Sequence, residues 1–263
     1  MTREPFRRFI DLSCDLGEAG SDDDAIVEAA IWPLISSANV ACGGHIGDRD
    51  SMQRAVEQAS EHDVSLGAHP SYPDRQNFGR RSMSISRHSL METLVEQMTT
   101  LAEVARSTGR AVTHVKPHGA LYNDAHHDQS LADTIAEAVH VFDSEASLVC
   151  ARSSAMFRAA QQHGIRAVAE GFADRRYRRD GSLVPRSEPD ALLMGPFEAA
   201  AQARLMTDEG EVAAKGGERI AVAVETICIH SDMKDSVRRL RAIRDNLTSG
   251  GIGIQSCHPR NRV

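Results

Sequence analysis

A chain of 263 residues with 41% hydrophobic and 25% charged side chains has the makeup of a soluble globular protein, with room for one α/β barrel or two small domains. Its formal net charge of −7 argues against binding a phosphate backbone, and its 4% aromatic content argues against a stacking surface for single-stranded nucleic acid. No apolar run approaches the roughly 20 residues that span a bilayer, and Met1–Arg8 lacks a signal-peptide core, so the expected place is the cytoplasm, away from membranes.

Taken in order, Phe9–Gly17 begins as an alternating strand and stops at Gly17. Asp22–Leu34 reads as a helix whose acidic first turn suits the positive end of the helix dipole. A second strand runs into Gly43-Gly44-His45, and Asp48–His62 follows as a helix with Met52, Val56 and Ala59 on one face. A third strand ends near His69. Ser86 caps the clearest helix, in which Leu90, Leu94, Met98, Leu101 and Ala105 keep helical spacing until Gly109 stops it. A fourth strand ends near Pro117, and helices Leu131–Val141 and Ser154–His163 flank the apolar strand Ser147–Ala151. A strand ending near Phe172, a helix Phe197–Thr207 and a hairpin within Glu211–Val224 around Lys215-Gly216-Gly217 come next. The strand Ile227–His230 and helix Asp235–Leu247 complete the set. Gly250–Val263, with Cys257 and Pro259, is expected to be irregular and partly mobile.

About seven strands, each followed by a helix or a long loop, predict one α/β domain over residues 1–250 with a tail over 251–263. Polar clusters sit at strand ends throughout the chain rather than at one switch point, which favours a closed or nearly closed barrel over an open doubly wound sheet. In such a fold the strand C-termini share one face. Asp, Glu, His and Lys residues distant in sequence then converge in one cleft, which points to an enzyme.

Asp11, Ser13 and Asp15 lie on one face of the first strand, because side chains alternate. Asp15 and Glu18 reach the strand end, where carboxylates serve as bases or metal ligands; Asp11 reads equally well as a structural partner of a neighbouring strand. Asp48 is primarily a helix cap. His45, His69 and His118 each stand at a different strand end, and Asp15, His45 and His69 form a candidate set for zinc or manganese, although no HExxH or CxxC pattern is present. Lys116 can stabilise negative charge or act as a base, with a salt bridge to a cleft carboxylate as the alternative. The five cysteines do not form a disulfide pattern, and Cys42 reads as a buried thiol, with a Cys42–His45 nucleophilic pair as the rival. Arg175, Arg176, Arg178 and Arg179 read as solvated loop charge.

The strings DLSCDLGE, SSANVACGGHIGD, GAHPSYPDRQNFGRR, HVKPHGALYN, EGFADRRYRRDGSLVPRS and VETICIHSD resemble the signature runs of the LamB/YcsF family, described as the A subunit of 5-oxoprolinase, over residues 8 to 250. The resemblance implies an irregular (β/α) barrel of about seven strands, related to carbohydrate deacetylases. It also implies an ATP-dependent hydrolase that opens the lactam of 5-oxo-L-proline to L-glutamate, with ADP and phosphate as co-products, acting with subunits B and C. Three positions depart from the family: Ser13 for Asn, Gly44 for Phe and Ser231 for Gly, and an aromatic insertion after Glu18 is missing.

On that reading Asp15, Glu18, Lys116, His118 and Asp232 are the candidate catalytic residues. Asp15 or His118 would activate water, Lys116 would stabilise charge, and Arg80 or Arg186 would hold the substrate carboxylate. Tyr122 and Asn123 are candidate substrate contacts. The sequence contains no GxxxxGK[ST] loop, so ATP is expected to bind with the partner subunits. Two rival readings are a metal-dependent amidohydrolase or carbohydrate deacetylase acting without ATP, and a non-catalytic subunit that binds a small acid. A homo-oligomer is compatible with either.

Overall fold

A computed structural model describes residues 8–232 and 235–258 of the chain. Ten strands occur among them: β1 Arg8–Leu16, β2 Ser37–Ala41, β3 Ser65–His69, β4 Val112–Val115, β5 Ser147–Cys150, β6 Ala167–Phe172, β7 Glu211–Ala213, β8 Arg219–Ala221, β9 Thr226–His230 and β10 Ile252–Ile254. The helices are α1 Asp22–Ile31, α2 Arg49–Glu61, α3 Arg87–Arg106, α4 Gly119–His127, α5 Gln129–Phe142, α6 Ala155–Gln162, α7 Pro196–Glu209 and α8 Ser236–Ser249. Among the described residues no helix is long and apolar enough to cross a membrane.

Strands β1 to β6 pair in sequence, β6 pairs with β9, and β9 returns to β1, every pairing parallel, so seven strands close a barrel. Strand β1 is shared along its length. Asp11–Asp15 pair with β9, while Arg8–Ile10 pair with β10. The expected irregular tail therefore contains a strand at 252–254, too short and glycine-broken to be visible by periodicity. Its distal part, including Pro259, lies outside the described residues. Strands β7 and β8 form the expected hairpin apart from the barrel.

Local chemistry sets the helix starts. Asp48 accepts the backbone N–H of Ser51, and Ser86 accepts that of Ser89, as the sequence led us to expect. Helix α4 was not legible, because it begins at the site residue His118 without a side-chain cap.

Alternation in the strands sorts the interior. Leu12, Cys14, Leu16, Ala38, Val40, Leu66, Ala68, Val115, Leu148, Ile227 and Ile229 belong to the fully buried apolar core. Their alternates Asp11, Ser13, Asp15, Ser37, Asn39, His114, Glu170 and Thr226 are buried as well; all but Glu170, which pairs with Lys116, bond to one another between strands. The barrel lumen is thus polar, in contrast to the branched apolar filling usual in (β/α) barrels. Gly67 makes room for it: a Cβ there would fall 2.1 Å from the ring of His114. Asp11 proves structural at its strand position, since the hydroxyls of Ser36 and Ser37 each donate to it at 2.6 Å.

Candidate active site

A cavity of about 560 Å³ opens at the C-terminal end of the barrel, a size suited to a small-molecule ligand. Its lining includes Asp15, Glu18, His69, Arg80, Lys116, His118, Tyr122, Asn123 and Asp232, so nearly every residue singled out in the sequence faces one space.

At its floor Lys116, only 2% exposed, lies between two carboxylates. Its Nζ is 2.8 and 3.1 Å from the Asp15 oxygens, 3.1 Å from Glu170 Oε1 and 3.0 Å from Cys228 Sγ. Burial opposes the charge, but Asp15, Cys228 and Glu170 together hold the ammonium well above its ordinary pKa. Burial would likewise raise Asp15, yet His69 and Lys116 hold it well below the usual carboxylate range. Asn39 donates to the same carboxylate at 2.9 Å. Asp15 is thus fully engaged as the anchor of Lys116. Glu170 was not anticipated, although it is the lone charge in the apolar run Ala167–Phe172; burial raises its pKa. Burial and Glu170 also push the Tyr122 hydroxyl well above its ordinary value.

Beside this ion cluster stands a second one. The loop after β1 is turned by Gly17, with φ +73°, and both its Gly17 and Glu18 N–H groups donate to Glu28. Glu18 Oε1 is thereby set 2.8 Å from His45 Nε2, 3.5 Å from His118 Nδ1 and 3.9 Å from His69 Nε2. Burial lifts its pKa to about 7. His45, lowered to about 2 by burial, is neutral and lies behind Glu18, outside the cavity lining, with its ring stacked on His118 at 3.7 Å. Within the cleft the candidate metal set of Asp15, His45 and His69 is regrouped: there it is Glu18, His69 and His118 whose ligand atoms lie within 4.8 Å of one another.

The two remaining rings have fixed tautomers. His69 Nδ1 is 2.7 Å from the Lys116 carbonyl, and His118 Nε2 is 2.9 Å from the Phe78 carbonyl, which Phe78 presents from a left-handed backbone. A carbonyl only accepts, so both nitrogens donate. His69 Nε2 and His118 Nδ1 then face each other at 3.0 Å as two lone pairs unless a cation, either a proton or a metal ion, sits between them. This donor set fits a divalent ion.

Elsewhere in the cavity lining Asp232 is held by Arg80 and by Arg186, the latter at 2.8 Å. Burial would raise Asp232, but Arg186 outweighs it and lowers its pKa. Asp232 acts here as a clamp between two guanidinium groups. Asn123 bonds to the Gly119 carbonyl of its own helix at 3.0 Å and presents its surface to the cavity. Arg175 corrects the reading of its segment as solvated charge. It is 5% exposed and lines the cavity, donates to the Val184 carbonyl at 2.7 Å, and is lowered to about 10 by burial and by Arg186. Arg178 and Arg179 pair with Glu188 and Glu218 near the surface, as expected of loop charge. His230 bonds to Asp174 through both its backbone and its ring.

Of the three departures, Gly44 is explained by crowding: a Cβ there would fall 2.3 Å from Gln97 Oε1 and 2.5 Å from Ser71 Oγ. Ser231 donates to the Asp15 carbonyl at 2.8 Å, and Ser13 accepts from Thr226. Cys42 donates to the Val40 carbonyl and is pushed up to about 12 by burial, which makes it a packing thiol.

The chain is 44% identical over 247 residues to the 5-oxoprolinase A subunit of Methylococcus capsulatus, covering 94% of this chain and 95% of that one. It is also 44% identical over 252 residues to the 5-oxoprolinase A subunit of Symbiobacterium thermophilum, covering 96% of each. Among solved structures, the lactam utilization protein of Thermus thermophilus superposes with a TM-score of 0.87 at 38% identity, covering 94% of this chain and 99% of that one. The LamB/YcsF family model matches residues 10–262, and the chain belongs to that family.

Proposed function

We propose that this chain is the lactam-binding, ring-opening component of an ATP-dependent 5-oxoprolinase, working in the cytoplasm with subunits B and C. The observation that carries this reading is the cleft itself. It combines a buried Asp15–Lys116–Glu170 ion cluster, a Glu18–His69–His118 cluster and the cationic wall of Arg80, Arg175 and Arg186, all in one cavity. The 44% identity to proteins named as the A subunit of 5-oxoprolinase supports it.

A five-membered lactam resists water because attack breaks amide resonance with little strain relief. Phosphorylation of the lactam oxygen, assigned to the partner subunits, makes the ring carbon electrophilic. Water then adds to that carbon, the C–N bond breaks to give an acyl phosphate, and a second water releases phosphate and L-glutamate. Lys116 supplies the positive charge that steadies the attacked centre. Proton transfer falls to Glu18, His69 and His118, because the Asp15 oxygens are already taken by Lys116 and Asn39. Arg175 and Arg186 receive the substrate carboxylate, while Asp232 holds Arg186 and Arg80 in place. Tyr122 and Asn123 complete the wall.

Glutamate release from 5-oxoproline tests the reading. The purified chain alone should give no ATP-dependent release, activity should appear on adding subunits B and C, and Asp15→Asn protein should not support it. ATP-coupled turnover by the isolated chain would refute the division of labour.

One observation favours a second reading, amide hydrolysis or carbohydrate deacetylation assisted by a divalent metal without ATP: the 3.0 Å approach of His69 Nε2 and His118 Nδ1, which calls for a proton or a metal ion between them. Glu18, His69 and His118 would hold the ion, which when bound supplies an activated water. Metal content of the purified protein, with amide hydrolysis before and after chelation, separates the two readings.

A further inference from the structure

At the opposite end of the barrel from the cleft, β10 lies along the start of β1, and the chain beyond it turns under the lumen. Gln255 N–H continues the pairing by donating to the Ile10 carbonyl, and Arg166 holds the Cys257 carbonyl at 2.7 Å. Cys257 and His258 are thereby brought beneath Asp11. The His258 ring stacks on His114 at 3.7 Å with 7° between planes, and only 5% of the residue is exposed. Cys257 Sγ lies 3.9 Å from Asp11 Oδ2 and 3.7 Å from His258 Nε2, and His258 Nε2 lies 3.9 Å from Asp11 Oδ2.

These three separations are too wide for strong hydrogen bonds but nearly equal. A point equidistant from three atoms so spaced lies about 2.2 Å from each, which is the range of zinc bonds to thiolate, imidazole and carboxylate. We propose that Asp11, Cys257 and His258 form a zinc site at the base of the barrel, separate from the catalytic cleft, that pins the C-terminal strand to the first. The donor set is the mixed S, N and O type that zinc prefers. The surroundings are those of a built site. Ser36 and Ser37 both donate to Asp11 and orient its carboxylate, and His114 fixes the plane of the His258 ring. Cys257 remains partly exposed, which leaves a path for the ion and a fourth position for water.

Cobalt reconstitution tests this directly, because a thiolate-to-cobalt charge-transfer band requires a cysteine ligand and the Glu18–His69–His118 cluster contains none. The full-length protein loaded with Co(II) should show the band. Cys257→Ser should abolish it, and Glu18→Gln should keep it. Zinc content should fall by about one equivalent per chain in Cys257→Ser and His258→Ala, and chelation should lower the melting temperature of the wild type but not of Cys257→Ser. Circular dichroism of each variant separates loss of metal from loss of fold, and Asp11→Asn provides a further ligand deletion if a variant fails to fold. Absence of the band in folded wild-type protein, or a band unchanged in Cys257→Ser, would overturn the proposal.

Discussion

Replacing Lys116 by methionine keeps most of the side-chain volume and removes the charge. The buried carboxylates of Asp15 and Glu170, 2.8 and 3.1 Å from the ammonium, would then lose their shared cation. Taking one partner out of a buried ion pair costs about 3–5 kcal/mol, and here one cation serves two anions. For a chain of this size that corresponds to a drop of roughly 6–20 °C in melting temperature. A cleft residue at a strand end would ordinarily be dispensable for folding; the ion cluster makes Lys116 an exception. The pH profile supplies the sign. Burial already raises Glu170 and Lys116 opposes that rise, so without the cation its folded-state pKa lies further above the unfolded one; the penalty is present at neutral pH and falls as protons return. Lys116→Met should therefore approach the wild type in stability as pH is lowered from 8 towards 5. The double variant Lys116→Met/Glu170→Gln should recover part of the loss at pH 8. Denaturant melts of the three proteins at both pH values read this out, with glutamate release falling about a hundredfold or more for Lys116→Met. A stability change within about 0.5 kcal/mol at pH 8 would refute the buried ion cluster.

Three further perturbations follow from the structure. Burial raises Glu28 to about 6, so its ionised form is disfavoured in the fold; between about pH 6 and 4.5 the wild type should gain roughly 2 kcal/mol relative to Glu28→Gln, a difference that denaturant titrations at the two pH values would measure. Glu28→Ala, which frees the Gly17 and Glu18 amides, should lower turnover in the three-subunit assay about tenfold by loosening Glu18. Against burial, His230 holds Asp174 at about 2, which stabilises the fold above the unfolded value near 3.8; about 2 kcal/mol should be lost as pH falls from about 3.8 to 2, and acid denaturation of Asp174→Asn should lack that component.

Much of this was legible in the sequence for local reasons. Asp48 and Ser86 announce helix starts, Gly17 ends β1, and strand-end polarity places Asp15, Glu18, His69, Lys116 and His118 on one face. What was hidden depends on partners supplied by distant strands. Nothing near Asp232 in sequence shows that Arg80 and Arg186 converge on it, and nothing near His45 shows that its Nε2 is turned to Glu18. Arg175 sits in a basic run that looks solvated, yet burial separates it from Arg178 and Arg179. Strand β10 exists only because β1 offers it a template.

The seam along β1 has a consequence for the order of assembly. On one edge, residues 8–15 find their lateral partners in 226–230 and 252–254, more than 200 positions further along the chain. Ring closure is therefore the longest-range event in folding, and its entropic cost precedes the contacts that reward it. Asp15 pairs in register with His230, which is synthesised long after it. The cleft is thus unfinished until β9 has been made, and until then β1 presents an open strand edge to its surroundings.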